Sequence, residues 1–358
     1  MYALLQETRS YFTFETNSWI FQLHSKLTVG FLMISFILVS TYDYIDSSAI
    51  QCMGDKKIGI SPRTLNTYCW FSSTYTVPRH WTGKRGETNL DWGVGISSEE
   101  DDRVYHAYYQ WVPYFIIFLA LLFSLPYFLW KTSYADHITN LTNALEMEKR
   151  KKLDKIAQYI LSRKEENRTF LIGLLGCEAF NLLIVGLVIF LINKFLGGDF
   201  YSYGTEVIKW QTTEPEERAD PISRIFPKMT KCDFYRFGPS GTIITYDALC
   251  LLGINILNEK IFFFLWFWLL LVGILGCLLL FLRILTAVSS LARKSIGRFY
   301  FSAGCCQVVS DLSAEEWILT QQLSLVLEKQ SFDDLITELS SLLLYSRNTR
   351  EKLQLEQP

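Results

Sequence analysis

The charges of this chain are segregated, and the segregation limits its fold more than any motif does. Of 34 basic and 36 acidic side chains, only Glu178 falls within the four windows Leu27–Tyr42, Tyr108–Trp130, Thr169–Asn193 and Ile261–Leu282. A helix needs about 20 apolar residues to cross roughly 30 Å of hydrocarbon, and the last three windows have that length. The first is shorter, but Lys26 at its edge can bury its stem and lift its ammonium to the interface. A buried soluble helix is the alternative for any one window, and three full-length neighbours argue against it. The sequence therefore predicts an all-α membrane protein, with minor β structure in its loops, and four transmembrane helices over 25–45, 108–130, 169–193 and 261–282. They are separated by connections 46–107, 131–168 and 194–260 and flanked by an N-terminal segment 1–24 and a tail 283–358. The rings of Tyr42, Tyr44, Tyr108, Tyr109, Trp111, Tyr127, Trp130, Trp266 and Trp268 lie near window ends, where amphipathic aromatics favour the headgroup region.

Four spans put both termini on one side of the bilayer, and the lysine and arginine counts choose the side. The stretch 131–168 holds 9 in 38 residues, against 7 in the 65 residues of 43–107 and 8 in the 67 residues of 194–260. The middle connection, the N-terminus and the tail are thus expected in the cytoplasm, with two long connections outside. Residues 1–26 lack the compact apolar core of a cleavable signal, so the first span is expected to target the chain. The net charge of −2 leaves no basic excess to neutralise a phosphate backbone, which argues against a nucleic-acid partner.

On this topology Cys52 and Cys69 lie in the first outer connection and Cys232 and Cys250 in the second. Cys177 and Cys277 are in spans, and Cys305-Cys306 are in the tail. Two cysteines per outer connection, in an oxidising space, predict disulfides, and long loops without a core need such staples. Four cysteines allow three pairings, which the residues alone leave open. A metal site is a poor reading. His24, His80, His106 and His137 form no i, i+4 pair, and the cysteine gaps are longer than a zinc knuckle. For Cys305-Cys306, palmitoylation is weaker than the plain reading of reduced thiols.

The usual devices of catalysis are missing. No G-x-x-x-x-G-K-[ST], G-x-G-x-x-G, G-x-S-x-G or H-E-x-x-H pattern occurs, so the sequence points to no enzyme and no cofactor. Gly93-Val94-Gly95 and Gly238-Pro239-Ser240-Gly241 read as turns. Glu178 is the one candidate for ion chemistry inside the membrane, with a structural hydrogen bond to a neighbouring helix or subunit as its equal rival. Pro113 and Pro126 in the second span each remove a backbone hydrogen bond, giving a hinge or, preferably, a fixed bend. Glycosylation sequons at Asn140 and Asn167 fall in the expected cytoplasmic connection, and neither outer connection has one.

Tyr108-Tyr109-Gln110-Trp111-Val112, at the start of the second span, resembles the signature pentapeptide of the innexins, the gap-junction proteins of invertebrates. It does not stand alone. Tyr68-Cys69-Trp70 continuing to Ser73-Thr74-Tyr75-Thr76-Val77-Pro78 resembles the first outer loop of insect innexins. Ile225-Phe226-Pro227-Lys228-Met229-Thr230-Lys231-Cys232 resembles their second loop, and Asn258-Glu259-Lys260-Ile261 with Phe264-Leu265-Trp266-Phe267-Trp268 the start of their fourth span. The chain departs from the family pattern at Met1-Tyr2-Ala3-Leu4-Leu5 and at Asp46-Ser47-Ser48-Ala49-Ile50-Gln51 before the first cysteine.

The resemblance implies a plasma-membrane channel at cell junctions. Homo- or hetero-oligomeric rings, eightfold by analogy, would dock with a ring on the adjoining cell and pass ions and small metabolites. It further implies the nested staples Cys52–Cys250 and Cys69–Cys232, a docking face at the loop tips, and an N-terminal helix around residues 2–20 lining the pore mouth. The residues themselves also permit an undocked hemichannel or a non-conducting four-span adhesion protein. In the tail, Ala314–Lys329 and Phe332–Tyr345 have apolar residues at helical spacing and read as an inner helical bundle.

Overall fold

The computed structural model describes residues 19–46, 49–54, 59–82, 86–87, 89–96, 98, 100–135, 153–211, 221–300, 312–327 and 329–355. Four of its helices are long and apolar enough to cross a membrane. The first, α1, joins Trp19–Gln22, a π-helical turn Leu23–Leu27 and Thr28–Asp46. The others are α3 (Val112–Trp130, continued by a π-turn Lys131–Ala135), α5 (Lys164–Phe195) and α8 (Ile254–Val288), with α2 (Pro62–Ser72) and α4 (Leu153–Ser162) between them. Smaller helices are α6 (Phe200–Gln211), α7 (Pro221–Ile225), α9 (Ser290–Tyr300), α10 (Ala314–Val326) and α11 (Lys329–Leu355).

Three of the helices overrun their charge-free windows at both ends, because hydrogen bonding within a helix does not stop where the hydrocarbon does, while α3 begins at Val112, inside the expected 108–130. The short first window is the clearest case: the span runs over Trp19–Tyr42, 24 residues, so it begins eight residues before Leu27. Within the π-turn and at its end, the hydroxyls of Ser25 and Thr28 donate to the carbonyls of Phe21 and Leu23. Residues 19–24, expected in an N-terminal pore helix, belong instead to this span, and residues 1–18 lie outside the described residues.

Over the described residues the chain divides into two compact units. One draws on Met1–Val29, Phe123–Ile184 and Val272–Pro358, the other on Gly30–Leu122 and Val185–Leu271. The first unit has a helical core. Trp317, Ile318 and Leu323 of α10 and Phe332, Leu335 and Leu339 of α11 pack with Ile156 and Ile160 of α4, Phe170 and Leu174 of α5, and Trp130. The expected tail bundle is therefore present. Its start is set by a capping box, in which the Ser313 amide donates to Glu316 Oε2 at 2.9 Å.

The second unit carries the β structure: β1 (Gln51–Met53), β2 (Thr74–Thr76), β3 (Asn89–Asp91), β4 (Val94–Gly95), β5 (Val104–His106), β6 (Met229–Phe237) and β7 (Ile243–Leu251). Five strands form one antiparallel sheet in the order β1-β7-β6-β2-β5, while β3 and β4 pair separately. Strands β6 and β7 are a nine-residue hairpin running from the pair Met229↔Leu251 to the pair Phe237↔Ile243. Its loop closes with the Gly238 amide donating to the Thr242 carbonyl, and Gly241 has φ +81°, a conformation that favours glycine. The sheet thus draws strands from both long connections, 46–107 and 194–260.

Candidate functional site

Two disulfides make those two connections a single platform. Cys52 and Cys250 are directly opposed across β1 and β7, with Cα atoms 4.0 Å apart. The amide of Cys52 donates to Asn66 Oδ1 of α2 at 2.8 Å, which holds that helix against the strand. Helix α2 starts where Ser61 caps the Thr64 amide and Pro62 occupies the first turn, a position that needs no backbone donor. Three residues beyond Asn66 and on the same buried face, Cys69 is bonded to Cys232 of β6. The structure therefore has the nested pairing, with sequence separations of 198 and 163 residues.

Polar contacts lock the sheet's other side. Arg103, just before β5, donates to Asp233 Oδ2 of β6 at 2.7 Å, and the Tyr75 hydroxyl of β2 donates to Asp233 Oδ1 at 3.0 Å. The Arg103 guanidinium also lies 4.6 Å from the Tyr75 ring centroid. Burial, and next the Asp233 carboxylate, push the Tyr75 hydroxyl pKa up. His106 Nε2 and Thr76 Oγ1 share a buried hydrogen bond of 2.8 Å between β5 and β2. Burial pushes the His106 imidazole down to about 4. Gly95 lets His80 close over it, since a Cβ there would sit 2.6 Å from the ring. In contrast, the far end of the hairpin is bare: Phe237 is 74% exposed and Ile243 68%, and they are cross-strand partners.

The pentapeptide joins β5 of this platform to α3. Tyr108–Gln110 is a single 3-10 turn, and Trp111 donates its amide to the Tyr108 carbonyl at 2.8 Å. Tyr109 is buried against Trp70 of α2, with ring centroids 4.9 Å apart, and Gln110 Nε2 donates to the Trp70 carbonyl. Tyr108 meets Phe195 and Phe226, while Trp111 is 61% exposed and Val112 is buried. Of the expected interface anchors, Trp111 keeps that character. Tyr109 and Trp130 instead pack inside the protein, and Trp266 lies over Gly204, where a Cβ would come within 2.3 Å of its ring.

The two prolines differ. Pro126 is inside α3, but Pro113 is the second residue of that helix, where the missing N–H costs little, so the bend expected there is not required. Glu178 is buried in α5, and its Oε1 lies 3.4 Å from Arg283 Nε of α8. Arg283 Nη1 in turn donates to Gln321 Oε1 of α10 at 2.6 Å. This is the geometry of a structural ion pair, and of the two readings of Glu178 it matches the structural one. Arg283, directly after the fourth window, was the available sequence signal for it. Gln321 gave none.

Asn167 is buried, and its Nδ2 donates to the Ile160 carbonyl at 2.7 Å, so the folded chain does not present this amide for a glycan. Cys177 and Cys277 are free thiols. Cys305, Cys306, His137 and Asn140 lie outside the described residues.

The model of the family described as Innexin matches residues 17–343. The chain belongs to the innexin family. Innexin inx2 of Drosophila melanogaster is 35% identical over 334 residues, covering 90% of this chain and 89% of its own. Innexin inx3 of the same organism is 33% identical over 351 residues, with 95% and 88% covered, and innexin shaking-B is 33% identical over 347 residues, with 94% and 92% covered. The quoted blocks of this innexin now have physical roles: its pentapeptide seats the platform on α3, and its loop blocks supply α2, β2 and the start of β6.

Two outcomes follow. For His106 the folded value of about 4 lies below the unfolded value of 6.5, so its contribution is complete above about pH 6.5 and is lost as the pH falls toward 4. The loss is about 3 kcal/mol at most. The protection factors of the β2 and β5 amides, which are exchange rates referred to the intrinsic rate at each pH, should fall from pH 7.5 to pH 5 in the wild type and stay flat in His106→Gln. For the buried pair, Glu178→Gln or Arg283→Met alone should cost ~3–5 kcal/mol, and the double variant less than the sum. Thermal unfolding in detergent measures this, and additive single effects would remove the pair from the account.

Proposed function

We propose that this innexin is a subunit of an intercellular gap-junction channel, assembled as a ring of eight that docks with a ring on the adjoining cell. Both termini and the connection 131–168 face the cytoplasm, and the platform faces the intercellular gap. Ions and small metabolites then diffuse between cytoplasms through the joined rings. No bond is made or broken, in keeping with a channel family.

The observation that carries the reading is the pairing of a rigid base with a bare apolar tip. Covalent staples and the Arg103–Asp233–Tyr75 cluster fix the base of the hairpin, so its ordering entropy is met on folding and not on docking. At the tip, Phe237 and Ile243 offer apolar surface to water that contact with another copy would cover. The buried Asn167 amide in the connection assigned to the cytoplasm is in keeping with this sidedness.

Paired-cell recording tests it. Phe237→Asp with Ile243→Asp should reduce junctional conductance at least tenfold while leaving surface abundance and single-cell dye uptake unchanged. Full junctional conductance in that variant would contradict docking through the hairpin tip. Uptake by single cells with no wild-type junctional conductance would favour an undocked hemichannel, and neither conductance nor uptake would favour an adhesion role.

A further inference from the structure

The channel reading makes no use of how close the two staples are to each other. Although Cys69 is bonded to Cys232, its sulfur lies within 4.8 Å of the sulfurs of both Cys52 and Cys250. Cys232 is not a member of this trio. The cause is local: the Asn66 bond to the Cys52 amide seats α2 on β1, and Cys69 follows one helical turn later. Three sulfurs at this spacing also resemble a metal site, but each is held in a disulfide and offers no thiolate to an ion. What the spacing does suit is thiol–disulfide exchange, which needs an attacking thiolate beside a disulfide sulfur.

We propose that Cys69 is the exchange centre of the platform, through which reduction of either bridge passes to the other and leaves Cys232 as a free thiol. The entry point is Cys52, at 7% the most exposed of the four, the others being fully buried. A dithiol reductant opens Cys52–Cys250, is itself oxidised to its disulfide, and passes two hydrogens to the two cysteines. One of these, as its thiolate, attacks Sγ of Cys69. The new bond to Cys69 forms as Cys69–Cys232 breaks, the electron pair leaves on Cys232, and Cys232 takes up the proton that the attacker released. This second step involves no net oxidation.

Opening Cys69–Cys232 first leads to the same species. The Cys69 thiolate then attacks Cys52 or Cys250, and Cys232 is again left free. In both routes α2 loses its bond to β6 and gains one to the β1–β7 edge, so one reduction loosens the helix from the hairpin. This property of the fold stands whether or not the rings dock.

The test uses the full-length protein in detergent, treated with about one equivalent of dithiothreitol, alkylated rapidly with N-ethylmaleimide, and mapped as non-reduced peptides. The result expected is that chains holding one remaining bridge carry the label on Cys232 and on either Cys52 or Cys250, with Cys69 linked to the other. Singly reduced chains that retain a native bridge, either Cys69–Cys232 or Cys52–Cys250, would overturn the proposal. So would loss of both bridges together at every dose of reductant.

Discussion

Two covalent bonds between segments 163 and 198 residues apart are the constraint on which the platform depends. Strands β1, β2 and β5 have three residues each, too few to hold a sheet by hydrogen bonding alone. Among the described strands only β6 and β7 are long. The staples fasten β1 and α2 to that hairpin, and closing loops of this length is worth about 5 kcal/mol for a single bridge by the chain-entropy argument. The second bridge closes a loop nested within the first, so its share is smaller. Arg103, Asp233 and Tyr75 then hold the side of the sheet that no disulfide reaches.

The membrane sector follows the opposite rule. Its helices are apolar around most of their circumference, so packing specificity comes from a few exceptions. Glu178 is the most costly of them, because an unpaired carboxylate inside a bilayer is strongly disfavoured. Arg283 offsets that cost, and through Gln321 the pair reaches α10 of the tail bundle. One buried network thus joins two spans to a helix of the tail, which gives the tail a fixed attachment to α5 and α8.

The spans were legible in the sequence because hydrocarbon selects on charge, and charge can be counted. Their ends were less so: Trp19 and Gln22 fall inside α1 although polar residues separate them from the apolar window, since helix continuity is set by backbone hydrogen bonds. The platform was legible mainly as a resemblance. Three-residue strands such as Thr74–Thr76 leave almost no periodicity to read, and their partners lie in the other connection. Aromatic residues misled where burial depended on distant chain: Tyr109 and Trp130 look like interface anchors until Trp70 and the tail bundle are placed beside them. Gln321 could not be found at all, because a glutamine on a tail helix gives no sign of the arginine it contacts.

Peptide mapping of the untreated, non-reduced protein tests the central claim most directly, because every role given to the platform presumes that its two connections are covalently one. The account predicts links Cys52–Cys250 and Cys69–Cys232. Links within each connection, Cys52–Cys69 and Cys232–Cys250, would contradict it.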